Sequence, residues 1–142
     1  MLHRLYEIAQ NEHIFITTKF SDTKNKSSIL NDGNAWAISV EKALCEIEEK
    51  QCLAHELGHY FTGSVYSEAS TAIQRAKCEY RAGKWMIKTL VPLPALRVAL
   101  ADGLRDPWEL AEHFSVSEDV IHKAFYIYQL QGEFFGPDNG CE

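Results

Sequence analysis

A pair of histidines four positions apart sets the terms on which this chain can fold. His55-Glu56-Leu57-Gly58-His59 reads HELGH. On an α-helix each residue advances about 100°, so the two imidazoles fall roughly 40° apart on one face, one turn above the other. So placed, they can grip one metal ion. Glu56 stands beside them, where the carboxylate of an HExxH arrangement takes a water proton as a general base. The motif therefore demands a helix through these five residues and a second element that brings a third ligand, because a catalytic site of this kind uses three protein ligands and one open position.

The first demand is met locally. From Glu41 onward, Leu44, Ile47, Ala54, Leu57 and Phe61 recur at helical spacing, with Glu41, Glu46, Glu48, Glu49 and Lys50 between them and Gly63 as a stop. HELGH then occupies the last two turns of a long helix. A further helix is expected over roughly 69 to 90. Its polar and basic stripe, Gln74, Lys77, Arg81, Lys84 and Lys88, should face solvent. Opposite that stripe stand Ala72, Ala76, Glu79, Gly83, Met86 and Leu90. A carboxylate in the middle of a small, apolar face is costly to bury unless it meets a cation, which makes Glu79 the favoured third metal ligand beside His55 and His59. Glu68, a cysteine (Cys52 or Cys78) and an aspartate further along remain alternatives. The metzincin extension is absent, since its glycine and third histidine positions hold Thr62 and Val65.

Ahead of the motif, residues 3 to 12 carry Leu5, Ile8 and Ala9 at helical spacing. Ile14 to Thr18 has strand character, and Ser21 to Lys26 reads as a loop. Ser28-Ile29-Leu30 and Ala35 to Val40 flank Asn31-Asp32-Gly33-Asn34, whose Asp-Gly pair suits a hairpin turn. A small antiparallel sheet of about three strands is the expectation. Behind the motif, Pro94 can open a helix through Leu96, Val98 and Leu100 to Gly103. Asp106-Pro107-Trp108-Glu109 has capping-box spacing with proline at the first helical position, and Ser117 can cap a last helix that ends at Gly132. The tail from Glu133 to Glu142 is expected to fray.

The 142 residues, 24% charged and 46% hydrophobic with net charge −6, suit one soluble domain, 1–142. The N-terminus lacks the uninterrupted apolar run of a secretory signal, and Thr89 to Ala101 is too short and too interrupted to span a bilayer. Cys45, Cys52, Cys78 and Cys141 follow no secreted-scaffold spacing. The expectations are a cytoplasmic location with reduced thiols and no membrane partner. Leu110 to Ser117, followed by a helix, resembles a helix-turn-helix unit. Glu118 and Asp119 sit where a recognition helix would meet phosphate, so direct nucleic-acid binding is disfavoured and two packed helices are expected. Tyr60, Tyr66 and Tyr80 are near enough to the motif to be considered for stabilising an oxyanion, although aromatic packing accounts for them equally.

The HELGH helix, its spacing to Glu79-Tyr80-Arg81-Ala82-Gly83-Lys84-Trp85, and the following Leu90-Val91-Pro92 together resemble the ImmA/IrrE family of zinc metallo-endopeptidases. Over about residues 3 to 130 the resemblance implies His55, His59 and Glu79 as zinc ligands and Glu56 as the catalytic acid/base. It departs from the family pattern at Arg81, Gly83 and Trp85 without removing a ligand or the base. It further implies an α+β, zincin-like fold related to gluzincins, mostly helical with the small sheet beside the two-helix zinc site. The protein substrate would be a separate helix-turn-helix repressor encoded by a phage or mobile element. A second function from another class is a non-catalytic, zinc-containing protein that binds its partner in a repressor or toxin-antitoxin pair.

Overall fold

In a computed structural model, residues 1–18 and 25–133 are described. They form six helices and three strands in an α+β arrangement: α1 (Leu2–Asn11), β1 (Ile14–Thr17), β2 (Ser27–Asn31), β3 (Trp36–Val40), α2 (Glu46–Thr62), α3 (Ala72–Leu90), α4 (Leu93–Ala101), α5 (Pro107–Phe114) and α6 (Glu118–Leu130). The chain gathers into two compact units, 1–86 and 87–142, and the division falls within α3. The loop expected from Ser21 lies largely outside the described residues, as does the expected tail beyond Glu133.

The sheet is mixed, with strand order β1-β3-β2. β2 and β3 form the expected antiparallel hairpin, Ser27 opposite Val40 and Asn31 opposite Trp36. β1 corrects the all-antiparallel expectation, because it runs parallel to β3 with Ile14 opposite Trp36. Alternation identifies strands but not their partners, and the hairpin leaves only one edge of β3 for β1. The turn is a four-residue loop in which Gly33 alone takes a left-handed φ, +92°. Asp32 Oδ1 accepts from the amides of Asn34 and Ala35 at 2.9 and 2.8 Å, a local network that closes the loop.

In the first unit, Leu5 and Ala9 of α1, Ile14, Ile38 and Val40 of the sheet, and Leu53, Ala54 and Leu57 of α2 are buried. α2 begins at Glu46, five residues later than the change of period at Glu41, with Cys45 as N-cap and Glu46, Glu48 and Glu49 in its first turn, where acids complement the helix dipole. Three residues depart from the expected faces, Phe61 among them, which is exposed near the end of the helix. Ile47 is exposed, and Lys50 is buried, because it stands at i, i+3, i+4, i+7 to Leu53, Ala54 and Leu57 and its long stem joins the core-facing stripe. α3 is shorter than expected at its start, and its first turns, with Ala72 and Ala76, are exposed; burial sets in near Cys78 and Glu79 and becomes complete at Ala82.

In the second unit, α5 and α6 pack as a helix pair with buried Leu110, Ala111, Val116, Val120, Ile121 and Ala124. The capping box of Asp106 and Glu109 forms as expected, with Pro107 opening α5, and Ser117 is the N-cap of α6. In α4, Leu96 and Leu100 are buried and Val98 is exposed. Tyr128 is buried and its hydroxyl donates to the Val91 carbonyl at 2.7 Å. No described helix is long and apolar enough to cross a membrane.

Candidate metal centre

Two helices of the first unit make the site, and a glycine lets them meet. A Cβ added to Gly58 would lie 2.5 Å from the carbonyl oxygen of Ala82 and 3.0 Å from its Cα. At this crossing α2 and α3 touch backbone to backbone, which only glycine permits. The approach sets Glu79, one turn before Ala82, against the histidine face of α2. His55 Nε2 lies 2.7 Å from Glu79 Oε2, and His59 Nε2 lies 3.2 Å from Glu79 Oε1. The candidate ligand atoms of His55, His59 and Glu79 all fall within 4.8 Å of one another. Among the described residues this is the one cluster of histidine, cysteine or carboxylate groups able to hold a metal ion. Glu68, Cys52 and Cys78 are not part of it.

The turn after α2 fixes the orientation of His59. Gly63 closes the helix in the left-handed region at φ +63°, and the chain folds back so that Ser64 N donates to the His59 carbonyl at 3.0 Å. The Ser64 carbonyl in turn lies 2.8 Å from His59 Nδ1. A carbonyl only accepts, so Nδ1 carries the hydrogen, and in the neutral ring Nε2 bears the lone pair. That lone pair faces a carboxylate. Such a meeting of electron-rich groups requires a cation between them, a metal ion or a proton, and the donor set of two imidazoles and one carboxylate suits a transition metal such as zinc.

The charges follow this geometry. Hydrogen bonds from His55, then His59, hold the Glu79 carboxyl well below the usual carboxylate range. Burial by itself would lower the His59 pKa, but the Glu79 hydrogen bond and the Ser64 carbonyl outweigh it, and the imidazole stands above its ordinary value. Glu56, only 6% exposed, is pushed up by burial; Ser27 and the two histidines pull it part of the way back. Its Oε1 accepts from the Ser27 hydroxyl at 2.8 Å. Ser27 opens β2, on the sheet face shared with Ile29 and Val40, so the strand next to the motif reaches the carboxylate from the side.

Of the three tyrosines considered for the site, only Tyr66 is bonded to one of its groups: its hydroxyl donates to Glu79 Oε1 at 2.8 Å. That bond, with burial adding to it, pushes the phenol up to about 12. Tyr60 donates to Glu12 at 2.9 Å and packs edge-on against Trp36, while Tyr80 is exposed. Ser27 and Ser64 are not recognisable as site residues from the sequence. Ser64 acts through its backbone, which no side-chain pattern reveals, and Ser27 is 29 positions from Glu56, joined to it only by the packing of β2 on α2.

A family model described as the IrrE N-terminal-like domain, the M78 peptidases, matches residues 9–126. No curated protein and no solved structure matches the chain. The matched segment contains all three candidate ligands, Glu56, Ser27 and Tyr66, and a family of this name carries a metallopeptidase-type function. With most of its length covered by that model, the chain belongs to the ImmA/IrrE family.

Proposed function

We propose that this chain is a zinc-dependent endopeptidase in which His55, His59 and Glu79 hold the metal and Glu56 is the catalytic acid/base. The observation that carries the proposal is the convergence of the three ligand groups from α2 and α3 within 4.8 Å, with a buried carboxylate on the next residue of the same helix. Bound there, zinc would supply Lewis-acid polarisation of a scissile carbonyl and of a water molecule. The chain's own residues supply the rest. Ser27 engages Glu56 Oε1, so proton transfer is assigned to Oε2, which takes a proton from the attacking water and returns it to the leaving amine. Burial keeps Glu56 shielded from bulk solvent, and His59 is held in one tautomer by Ser64.

β2 is an edge strand of the sheet, and Ser27 at its start touches Glu56. An extended peptide laid against that edge would gain main-chain hydrogen bonds beside the proton-transfer group. Family membership supports a protein substrate, and the proposed one is a separate helix-turn-helix repressor of a phage or mobile element. The gluzincin relationship, a single functional domain over 1–142 and a cytoplasmic setting belong to the same proposal. The chain's α5–α6 pair presents Glu118 and Asp119 at the start of its second helix, which supports contact with protein over contact with DNA.

The test is to incubate the zinc-loaded chain with the helix-turn-helix protein encoded beside it, with and without a chelator. Chelator-sensitive cleavage at a defined peptide bond is the expected result. Stable, zinc-containing association with no cleavage would instead establish the non-catalytic partner-binding role.

A further inference from the structure

The segment between α2 and α3 does more than connect them. It is anchored at both ends and carries Tyr66 between the anchors. At one end Ser64 is buried, its backbone is paired with His59, and its hydroxyl lies 2.5 Å from Thr62 Oγ1. At the other, Thr71 and Gln74 form a reciprocal cap: Gln74 N donates to Thr71 Oγ1 at 3.2 Å and Thr71 N to Gln74 Oε1 at 2.9 Å. Between them Ser70 N donates to the Ser67 carbonyl at 3.0 Å, and Ser67 N to Ser70 Oγ at 3.1 Å, which closes a tight turn.

A clamp from α3 holds this segment down. The Arg75 guanidinium donates to the Glu68 carbonyl at 2.7 Å and lies 5.8 Å from the centre of the Tyr66 ring, within cation–π range. The Tyr66 ring also meets His59 edge-on, centroids 6.1 Å apart. The hydroxyl is thereby delivered to Glu79 Oε1, the oxygen that also faces His59, while Oε2 faces His55. Each oxygen of Glu79 thus has a fixed neighbour, although the carboxylate is 44% exposed and on a flexible side chain.

We infer that Tyr66 is a positioning residue for metal binding: its hydroxyl, held by Arg75 and the anchored 63–71 segment, fixes the Glu79 carboxylate in the orientation that binds the ion. The inference rests on the assignment of His55, His59 and Glu79 as the metal ligands. An exposed glutamate loses side-chain entropy when it binds a metal, and a hydrogen bond that restricts it beforehand lessens that loss. Groups that orient a ligand in this way typically contribute about 10- to 100-fold in metal affinity.

The experiment measures zinc affinity directly, by competition with a chromophoric chelator, for the full-length chain and for Tyr66→Phe, Arg75→Met and His59→Ala. Phenylalanine keeps the ring in contact with His59 and Arg75 and removes only the hydroxyl. Tyr66→Phe is expected to weaken zinc binding about tenfold or more, with the thermal midpoint of the metal-free protein unchanged, and Arg75→Met to weaken it less. The visible spectrum of the cobalt-substituted protein should change in Tyr66→Phe, a signature that loss of overall stability does not produce. Zinc affinity of Tyr66→Phe within about threefold of the parent overturns the inference when His59→Ala has lost zinc. If His59→Ala binds zinc as tightly as the parent, the ligand assignment itself fails, and the inference with it.

Discussion

Gly58 and Ala82 meet so closely that the Cβ of an alanine at position 58 would sit 2.5 Å from the Ala82 carbonyl oxygen. The contact is with backbone, and no side-chain rotation can relieve it. Gly58→Ala must therefore separate α2 from α3 or distort both, and overpacking of this kind costs about 1–3 kcal/mol. Because Glu79 lies three residues before Ala82 on the same helix, the displacement would also widen the distance from Glu79 to His55 and His59. Urea denaturation should show the loss of stability, and zinc titration a weaker site. Parent-like values for both would mean that the crossing is not as tight as described.

Glu56→Gln separates metal binding from chemistry. The substitution keeps the shape of the side chain and leaves an oxygen that can still accept from Ser27, which bonds Oε1 at 2.8 Å. It removes the group proposed to exchange a proton with water. Zinc content should stay at the parent level while cleavage of the partner protein falls by about 10²- to 10⁴-fold, the usual contribution of a general base. A variant that cuts at the parent rate would remove Glu56 from the mechanism.

The spacing of the two candidate histidine ligands is legible in the sequence because His55 and His59 share a helix and helical geometry is local. Glu79 is legible too, one helix away, from the contrast between its small apolar neighbours and the basic stripe opposite. That argument succeeds at Met86 and Leu90, which are buried, and fails at Ala72 and Ala76, which are not. Periodicity names the face of a helix but not how far along it the partner extends. The same limit explains Lys50, where a charged head hides a stem in core register, and β1, whose pairing direction no alternation encodes. Ser27 and Tyr66 reach the site across 29 and 13 positions, through strand packing and an arginine clamp that exist only in the folded chain.

In the proposed site, protons and zinc would compete for the same lone pair on His59. Its pKa is raised in the metal-free fold, chiefly because the Glu79 and Ser64 hydrogen bonds outweigh burial. The sign follows from this direction. The protonated imidazole contributes to metal-free stability at low pH and ceases to do so as pH rises through the raised value. Zinc binding runs the other way, since it needs the neutral ring. Apparent affinity should fall as pH drops through that value, by about tenfold per pH unit for each proton displaced. Calorimetric titrations in buffers of different ionisation enthalpy would report the released protons. An affinity constant from about pH 8 to pH 5 would exclude histidine ligation.

Tyr128 offers a prediction confined to the second unit. Its ring is 2% exposed and its hydroxyl donates to the Val91 carbonyl, itself on a fully buried residue, tying α6 to the start of the α3–α4 connection. Tyr128→Phe preserves the ring and deletes the donor, so the packing stays while a buried acceptor loses this bond. The expected loss is about 1–3 kcal/mol of unfolding free energy, toward the upper end because the site excludes water. Val91 cannot be replaced to remove the acceptor, since the oxygen belongs to the backbone, so Tyr128→Leu serves as the comparison: it also removes ring volume and should cost more than Tyr128→Phe. Zinc affinity measured under native conditions should be unchanged in both, because every candidate ligand lies in residues 1–86. Equal stability of Tyr128→Phe and the parent would show that the hydroxyl contributes nothing, and reduced zinc affinity in either variant would reveal coupling between the second unit and the metal centre.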